Sequence, residues 1–471
     1  MELTDITKIS ITGVAASSVN INSLIIDENS SILGCIDKIE NNSIQTVFVL
    51  GSNNLLKGIV TNGDIRRYLL SGGKTTNNVT MCMNTAYRSV GLDVLREELL
   101  KLLDLGLSAI PRIDGSGHLI EIITKDYELP ASEVPVLTRA RAPVRMSFGG
   151  GGSDLTYYFI NHPGAVLNAT LALYCHTTLI PRLHPRINIY SEDLNTHVYF
   201  ESLEALLDSA SEKNLLASVV SVVRPRFGFD LYVRSDFPVG SGLGGSSAVA
   251  TSVVAAFNEL RLDHWSPYEV AEIAFQSERL CFGVSGGWQD QYASAFGGFN
   301  LIEFGAGKNL VHAIKLDASI INELQECLIL CNSNIPHDSG ELHKKQQKAF
   351  NDQDKTSDIK QIVALCRDMH KHLVRGELFE FGKSLDRSWQ IKRTLSDHIS
   401  NERVELIYDT AIKSGAVGGK LMGAGAGGFF LFYVQPQHRL NVTSALKQLK
   451  CTISSINFDS DGVVAWRQKI S

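Results

Sequence analysis

The stretch PVGSGLGGSSAVATSVVAAF, residues 238–257, limits the possible folds of this chain more than any other segment. Four glycines surround Leu243, so few side chains cover the backbone N–H groups of this loop. Two serines and a run of good helix formers follow, which predicts a helix that begins directly after the loop. The positive end of a helix beside uncovered N–H groups suits an anion, and phosphate is the usual one.

The sequence on either side predicts a strand before the loop and a helix after it. Residues 229–237, FDLYVRSDF, alternate in polarity and are predicted to form a strand that ends at the loop. The helix is predicted to run from Ser246 to Leu262. Its apolar residues are expected on one face, and they are Val249, Val253, Val254, Phe257 and Leu260.

A glycine loop of this kind could also belong to a dinucleotide site, a Walker A loop or a structural turn. Gly240, Gly242 and Gly245 satisfy G-x-G-x-x-G, but a dinucleotide site needs a strand next, and SPYEVAEIAFQSERL predicts another helix. A Walker A loop needs a lysine before Ser246, where Gly245 stands. A purely structural turn is possible, although such a turn seldom needs so many glycines. The pattern therefore favours a phosphate-binding loop without a lysine of its own.

Composition and charge exclude several classes of protein. The chain has 471 residues, which predicts two or more domains. A net charge of -6 without a Lys/Arg-rich run argues against nucleic acid as the main partner. No apolar stretch is long enough to span a bilayer, and the polar first residues do not resemble a signal peptide. Eight cysteines without a CxxC pair predict reduced thiols in a cytoplasmic protein, with neither a zinc site nor disulfides.

Proline and polar residues divide the chain near position 130. The stretch KDYELPASEVPVLT predicts a linker over residues 126–137, between a domain at 1–125 and a larger one at 138–471. In the first domain, TVFVL (46–50) predicts a strand, IVT begins a second one, and DIRRYLLSG predicts a short helix ended by glycine. This order partly recurs in SAIPRIDGSGHLIEIIT. The first domain is therefore expected to contain two packed copies of one small α/β unit.

The first domain resembles a CBS-domain pair. VLGSNNLLKGIVTNGDIRRYLLSG resembles the first half of such a pair, and residues 81–125 resemble the second half. The resemblance implies that Thr61 and Asp64 hold the ribose of a regulatory adenine nucleotide. The second copy reads TKDY at this point and departs from the pattern. The alternative is a module that binds no ligand and only packs, for example as the interface of a homodimer.

The larger domain carries three glycine clusters that resemble, in order, the three motifs of the GHMP kinases. This family is named for galactokinase, homoserine kinase, mevalonate kinase and phosphomevalonate kinase. The clusters are RAPVRMSFGGGGSDL, PVGSGLGGSSA and GGKLMGAGAGGFF. The resemblance runs from about Arg139 to the C-terminus. It implies an α+β fold of two lobes, at about 138–310 and 311–471, preceded by the α/β CBS pair.

Within that family, three segments are most similar to the D-glycero-D-manno-heptose 7-phosphate kinases. They are FGGGGSDL, SGGWQDQYASAFGGFN and SWQIKRTLS. One position differs, because Ser153 stands where those kinases usually have threonine.

The resemblance implies which residues bind ATP, which bind Mg²⁺ and which act on the sugar hydroxyl. ATP is assigned to the second motif, which comprises Gly240, Ser241, Gly242, Leu243, Gly244, Gly245, Ser246 and Ser247. The Ser246 hydroxyl and Glu278 are assigned to Mg²⁺, an ion that prefers oxygen ligands. Asp290 would accept the proton of the sugar hydroxyl or hold it in line. Arg145 would keep Asp290 ionised and offset charge on the transferred group.

Further residues are implied in substrate binding. Asp154, with Gly151 and Gly152, matches a sugar contact, since a carboxylate accepts hydrogen bonds from two adjacent hydroxyls. The third motif would support the phosphate loop through Gly423, Gly425 and Gly427. A substrate that already bears a phosphate needs additional cations. The candidates are His337, His343, Lys344, Lys345, Lys392 and Arg393.

The resemblance implies a cytosolic, ATP-dependent sugar kinase. Its expected reaction phosphorylates the anomeric hydroxyl of D-glycero-D-manno-heptose 7-phosphate and gives the 1,7-bisphosphate for nucleotide-heptose synthesis. One alternative is a 1-kinase for another sugar such as fucose, and another is a non-catalytic sugar or nucleotide sensor. Arg145, Ser246, Glu278 and Asp290 together argue against the sensor, because a binding protein need not keep the metal and base positions filled.

Overall fold

The computed structural model describes residues 10–12, 21–94, 96–124, 136–209, 214–238, 240–334, 355–396, 398–423 and 425–470. The chain divides into two compact units, Met1–Glu133 and Val134–Ser471. Their boundary falls within the segment predicted to be a linker, most of which lies outside the described residues.

The described part of the first unit contains two small sheets with helices beside them. Its elements are β1 (Ser10–Thr12), β2 (Ile25–Asp27), α1 (Ile32–Glu40), β3 (Thr46–Leu50), β4 (Leu56–Thr61), α2 (Asn62–Leu70), α3 (Arg96–Asp104), β5 (Ala109–Ile113) and β6 (Leu119–Thr124). One sheet has the order β2-β3-β4 and the other β1-β6-β5. The predicted strand TVFVL is confirmed as β3, which is buried throughout. β4 begins at Leu56, earlier than predicted, because that residue already pairs with Leu50.

The internal duplication is visible in strand pairing. β2 runs parallel to β3, and β3 pairs antiparallel with β4. In the second copy, Val90 pairs parallel with Arg112 of β5, and β5 pairs antiparallel with β6. The segment that would correspond to α2 in the second copy begins after residue 124 and lies outside the described residues.

The second unit contains most of the chain. Its described elements are β7 (Val136–Gly149), α4 (Thr156–Phe159), β8 (Gly164–Arg182), β9 (Ile187–Ser191), β10 (Thr196–Phe200), α5 (Leu203–Asp208), α6 (Leu215–Val223), β11 (Gly228–Ser235), α7 (Gly245–Asn258), α8 (Pro267–Phe275), α9 (Gln289–Phe296), β12 (Phe299–Phe304), β13 (Leu310–Ala313), α10 (Ala318–Cys327), β14 (Leu328–Asn332), α11 (Thr356–Val374), α12 (Leu378–Lys392), α13 (Glu402–Lys413), β15 (Ala416–Leu421), β16 (Phe429–Val434), α14 (Pro436–Gln448), β17 (Thr452–Ser454) and β18 (Val464–Lys469).

A large sheet is built around the long strand β8. β7 pairs with one edge of β8, while β11 and β12 pair with different halves of the other edge. β18 pairs antiparallel with β7, so residues 464–469 belong to this sheet. The predicted second lobe, about 311–471, is therefore wrong at its end, because the chain returns to the first lobe for its last strand. A second sheet in the described chain has the order β15-β16-β14-β17.

Helix α7, which follows the glycine loop, differs from its prediction in length and in burial. It ends at Asn258 rather than Leu262. It packs against β7 and β8 and contacts α6, α8 and α9, so residues on all its faces are buried. The one-sided pattern predicted for it is wrong. Small side chains such as Ala248, Ala250 and Ser252 let these neighbours approach from every side.

The apolar segments of the described chain lie within these sheets and helices. In the described ranges, no helix is both long and apolar enough to cross a membrane.

Candidate active site

The glycine loop ends at a helix N-terminus that no side chain caps. Gly240, Gly242 and Gly244 have φ values of 73°, 75° and 78°, which L side chains rarely adopt. Gly244 is the residue before α7, and it offers no side-chain cap to the helix. A Cβ at Gly245 would lie 2.6 Å from the Phe237 ring, so any larger residue there would require this ring to move. The first N–H groups of α7 therefore suit an anion.

Arg145 on β7 connects this loop to Asp290. Its Nε lies 2.7 Å from Asp290 Oδ1, and its Nη1 donates to the Gly242 carbonyl at 2.9 Å. Its backbone N–H donates to the Leu243 carbonyl at 3.0 Å. Asp290 lies in the first turn of α9 and packs against Gly244, where a Cβ would be 3.2 Å from its Cγ. The predicted base and its predicted arginine partner thus lie against the predicted phosphate loop.

Asp154 is 3% exposed and contacts the start of the same helix. Its Oδ1 accepts from the Gly152 N–H at 3.0 Å, and its Oδ2 accepts from Gln289 Nε2 at 3.1 Å. Gly287 allows this approach, because a Cβ there would lie 1.8 Å from Asp154 Oδ2. Burial, and then the charge of Asp290, raise the pKa of the Asp154 carboxyl.

Glu278 is fully buried in a π-helical turn, Gln276–Cys281, that continues α8. It accepts hydrogen bonds from Ser246, from Ser247 Oγ at 2.6 Å and from Gln291 Nε2 at 2.7 Å. Among the described residues, no group of three His, Cys, Asp or Glu side chains is placed to hold a metal ion. A carboxylate beside serine hydroxyls nevertheless fits Mg²⁺, which keeps waters and phosphate oxygens as its other ligands.

A narrow cavity that is open to solvent lies beside Asp154 and the Arg145–Asp290 pair. Arg145, Asp154 and Asp290 line it, together with Gly151 and Gly152. The structure therefore brings the predicted base, its arginine and the predicted sugar contacts to one wall.

The third motif meets the site at Gly423, which lines the same cavity. A Cβ at Gly423 would lie 2.9 Å from Gly242 Cα, so this glycine packs on the phosphate loop. Gly425 packs instead against Ile399, at 2.8 Å by the same measure. The Gly427 N–H donates to the Gly425 carbonyl at 2.8 Å.

The candidate cations for a substrate phosphate differ in whether they line the cavity. Lys392 lines the cavity. Arg393 pairs with Glu405 at 2.8 Å and does not line it. The remaining candidates lie outside the described residues, and they are His337, His343, Lys344 and Lys345.

Sequence reasoning missed several residues of the site. Gln289 and Gln291 flank Asp290 in QDQ and bind Asp154 and Glu278, respectively. Arg279 has Nη1 3.3 Å from Glu278 Oε1 and Nη2 3.8 Å from Asp290 Oδ2. Lys420 lines the cavity from β15. These residues stand beside motif residues, and that adjacency was the one signal that could have found them.

The two residues of the first unit that were predicted to bind a nucleotide form hydrogen bonds with each other. Thr61 is the residue before α2, and its N–H and Oγ1 donate to Asp64 Oδ2 at 2.8 and 2.6 Å. Arg67 Nη2 lies 2.6 Å from Asp64 Oδ1. Thr61 and Asp64 thus form a capping box, which stabilises the N-terminus of α2.

Comparisons with known proteins agree with this architecture. The sequence models of the GHMP kinases N terminal domain and C terminal domain match residues 214–298 and 369–450, and the CBS domain matches residues 16–71. The chain is 35% identical over 335 residues to D-glycero-alpha-D-manno-heptose 7-phosphate kinase of Campylobacter jejuni, covering 70% of this chain and 98% of that protein.

Two further relatives are less similar in sequence. A crystal structure described as a D-glycero-D-manno-heptose 1-phosphate kinase from Bacteroides thetaiotaomicron aligns with a TM-score of 0.59 at 29% identity, over 70% of this chain and 98% of that one. A bifunctional fucokinase/GDP-fucose pyrophosphorylase of Arabidopsis thaliana is 27% identical over 315 residues, 63% of this chain and 30% of that protein.

Fold, site and relatives together define a phosphotransferase of two lobes. The chain belongs to the GHMP kinases, with a CBS domain at its N-terminal end. It is an ATP-dependent sugar kinase that transfers phosphate to a sugar hydroxyl. The predicted family, the α+β fold class and the predicted type of enzyme are confirmed.

Proposed function

We propose that the protein transfers the γ-phosphate of ATP to the anomeric hydroxyl of D-glycero-D-manno-heptose 7-phosphate. The observation that carries this proposal is the position of Asp290. Its carboxylate contacts Arg145, packs on Gly244 of the phosphate loop and faces the cavity that Asp154 also lines. A sugar in that cavity would present a hydroxyl between a base and the end of a bound triphosphate.

Each residue then has a defined task. Phosphoryl transfer depends mainly on positioning and on compensation of charge. Asp290 accepts the hydroxyl proton or holds the hydroxyl in line, and Arg145 pairs with the Asp290 carboxylate while it also binds the loop at Gly242. Ser246 and Glu278 would hold Mg²⁺, which neutralises charge on the phosphates.

The heptose substrate is supported by the relatives. The heptose 7-phosphate kinase relative is 35% identical and aligns over 98% of its own length, whereas the fucokinase relative is 27% identical. A 1-kinase for fucose or another sugar is the second candidate.

We also propose that the protein works in a reducing compartment such as the cytosol, which is supported by its eight free cysteines.

The substrate is tested by ADP release over a panel of sugars and sugar phosphates. We expect heptose 7-phosphate to give the highest kcat/KM, and phosphorus NMR to find the new phosphate on the anomeric carbon. Fucose or galactose as the better substrate would contradict the proposal, as would a product phosphorylated at any other carbon.

We also propose that the CBS unit binds an adenine nucleotide and adjusts the rate of the kinase. The motif TNGD supports this, because Thr61 and Asp64 stand at the end of β4, where a ribose would be held. The capping box gives the same residues a structural role. A unit that only packs against a second copy of the chain is therefore the alternative.

Asp64→Asn in the full chain should weaken the response to AMP roughly tenfold or more, because a carboxylate hydrogen bond to ribose is lost. The measurement is the AMP concentration that changes kinase rate half-maximally, with Asp104→Asn, a change in the exposed end of α3, as the control. Activity without AMP should stay the same for both variants. A wild-type protein that binds no adenine nucleotide outside its ATP site in calorimetry would favour the packing alternative.

A further inference from the structure

Two lysines from different elements meet at one wall of the cavity. Lys420 lies on β15 with 3% of its surface exposed, and its Nζ donates to the carbonyls of Ser147 at 2.9 Å and Phe148 at 3.1 Å. Lys392, at the end of α12, donates to the carbonyls of Gly423 at 2.6 Å and Leu421 at 3.2 Å. An ammonium group has three N–H donors, so each lysine keeps one donor for a ligand.

The charge around these lysines is not balanced. In the described part of the chain, neither ammonium forms an ion pair with a carboxylate. The charged side chains that share the cavity are Arg145 on β7, Asp154 after β7 and Asp290 on α9, and Asp290 already pairs with Arg145. A buried cation without a partner is costly, so this wall favours an anion.

The pKa values agree with this imbalance. Burial, followed by the charge of Arg145, lowers the pKa of Lys392 to about 8, and Asp154 only partly opposes the shift. Burial and the charges of Lys392 and Arg145 lower the pKa of Lys420 well below its ordinary value, against weaker effects of the Cys366 thiol and Asp154. An anion in contact with both ammonium groups would remove the cause of both shifts.

A third group at this wall lacks a partner. Ser147 Oγ is buried, lines the cavity and has no hydrogen-bond partner among the described residues. The carbonyl of the same residue is held by Lys420. Buried hydroxyls are rarely left without a partner in native proteins, so an oxygen of a ligand is expected here.

We propose that Lys420, Lys392 and Ser147 bind the phosphate that the sugar substrate already carries. The proposal rests on the function proposed above, in which the substrate is a sugar phosphate. Two ammonium donors and one hydroxyl suit the oxygens of a phosphate monoester. The triphosphate of ATP has its own loop at the start of α7, and none of the hydrogen-bond partners of the two lysines belongs to residues 240–247.

The test compares heptose 7-phosphate with free heptose in Lys420→Met, Lys392→Met and Ser147→Ala. Each lysine variant should lower kcat/KM for the phosphorylated sugar about 10- to 100-fold and change kcat/KM for free heptose less than about twofold. Ser147→Ala should lower kcat/KM only for the phosphorylated sugar, by several-fold. Lys413→Met is the matched control, because Lys413 is exposed at the end of α13 and should change neither value.

The pH dependence of kcat/KM is a second test, because it should not change if Lys392 has only a structural role. Lys392 must be protonated to bind phosphate, and its pKa in the empty site is about 8. The wild-type kcat/KM for the phosphorylated sugar should therefore fall as pH rises above about 8. In Lys392→Met this fall should become smaller, because only Lys420 then remains to lose its proton, whereas free heptose should not show it in either protein.

The outcomes separate this inference from the proposed function. Equal losses for both sugars in the lysine variants would overturn the inference, since the lysines would then act on the transferred phosphate of ATP. Unchanged kinetics in all three variants would also overturn it. A wild-type enzyme with equal kcat/KM for both sugars would instead overturn the proposed substrate. Ser147→Ala removes only one oxygen atom, so it keeps the test decisive if a lysine variant fails to fold.

Discussion

Asp290→Asn should lower turnover by roughly 10²-fold or more, the size expected when a positioned acid–base group is removed. The amide keeps the shape of the side chain but cannot accept the proton of the sugar hydroxyl, and it removes the negative charge beside Arg145. ATP affinity should change little, because we propose that the loop and the start of α7 bind the phosphates. The measurements are kcat from ADP release and the ATP dissociation constant.

This substitution also needs a control for folding. Arg145 and Asp290 have side-chain exposures of 6% and 14%, so the variant leaves a largely buried arginine without its charged partner. Breaking a buried pair in this way costs about 3–5 kcal/mol, and a lower melting temperature is expected. Asp263→Asn is the matched control, because its side chain is 80% exposed. Near-wild-type turnover in a folded Asp290→Asn protein would remove Asp290 from the mechanism.

The sequence predicted those parts of the site that depend on local backbone. Gly240, Gly242 and Gly244 have left-handed φ values, which favour glycine, so the glycines themselves marked this loop in the sequence. The strand before the loop and the helix after it were likewise predictable, because polarity alternates in one and helix formers follow in the other. β11 and α7 confirm both elements, although each ends earlier than predicted.

Contacts between distant segments were not predictable in the same way. Lys420 Nζ binds the carbonyl of Ser147, and 273 positions separate the two residues. No spacing rule relates such positions, since β15 and β7 belong to different sheets and their contact depends on tertiary packing. The all-round burial of α7 has the same origin, because the number of neighbours that a helix meets is set by tertiary packing.

The segment TNGD illustrates a different limit of sequence reasoning. Its threonine and aspartate have the spacing of a capping box and also the spacing of a ribose site. The structure shows the hydrogen bonds of the capping box between Thr61 and Asp64. One short pattern can therefore serve two roles. Only a ligand-binding measurement distinguishes a helix start that also binds nucleotide from one that does not.

The wild-type enzyme should prefer heptose 7-phosphate to free heptose by on the order of 10²- to 10⁴-fold in kcat/KM. A charge-assisted hydrogen bond contributes roughly 1.5–3 kcal/mol, and two such contacts account for this range. One sugar hydroxyl contributes about 1 kcal/mol, so the phosphate should dominate the choice of substrate. Lys392 and Lys420 at the cavity wall are the donors that would provide the two contacts.

The division of this preference between kcat and KM reports how the phosphate is used. If the contacts hold the phosphate equally in the ground state and the transition state, their absence raises KM for free heptose and leaves kcat unchanged. If the phosphate also fixes the sugar in line with Asp290, kcat for free heptose should fall as well. Initial rates with both sugars at saturating ATP give the two constants, and ATP hydrolysis without sugar is the background to subtract. Equal kcat/KM values would contradict the heptose 7-phosphate assignment and favour a 1-kinase for a free sugar.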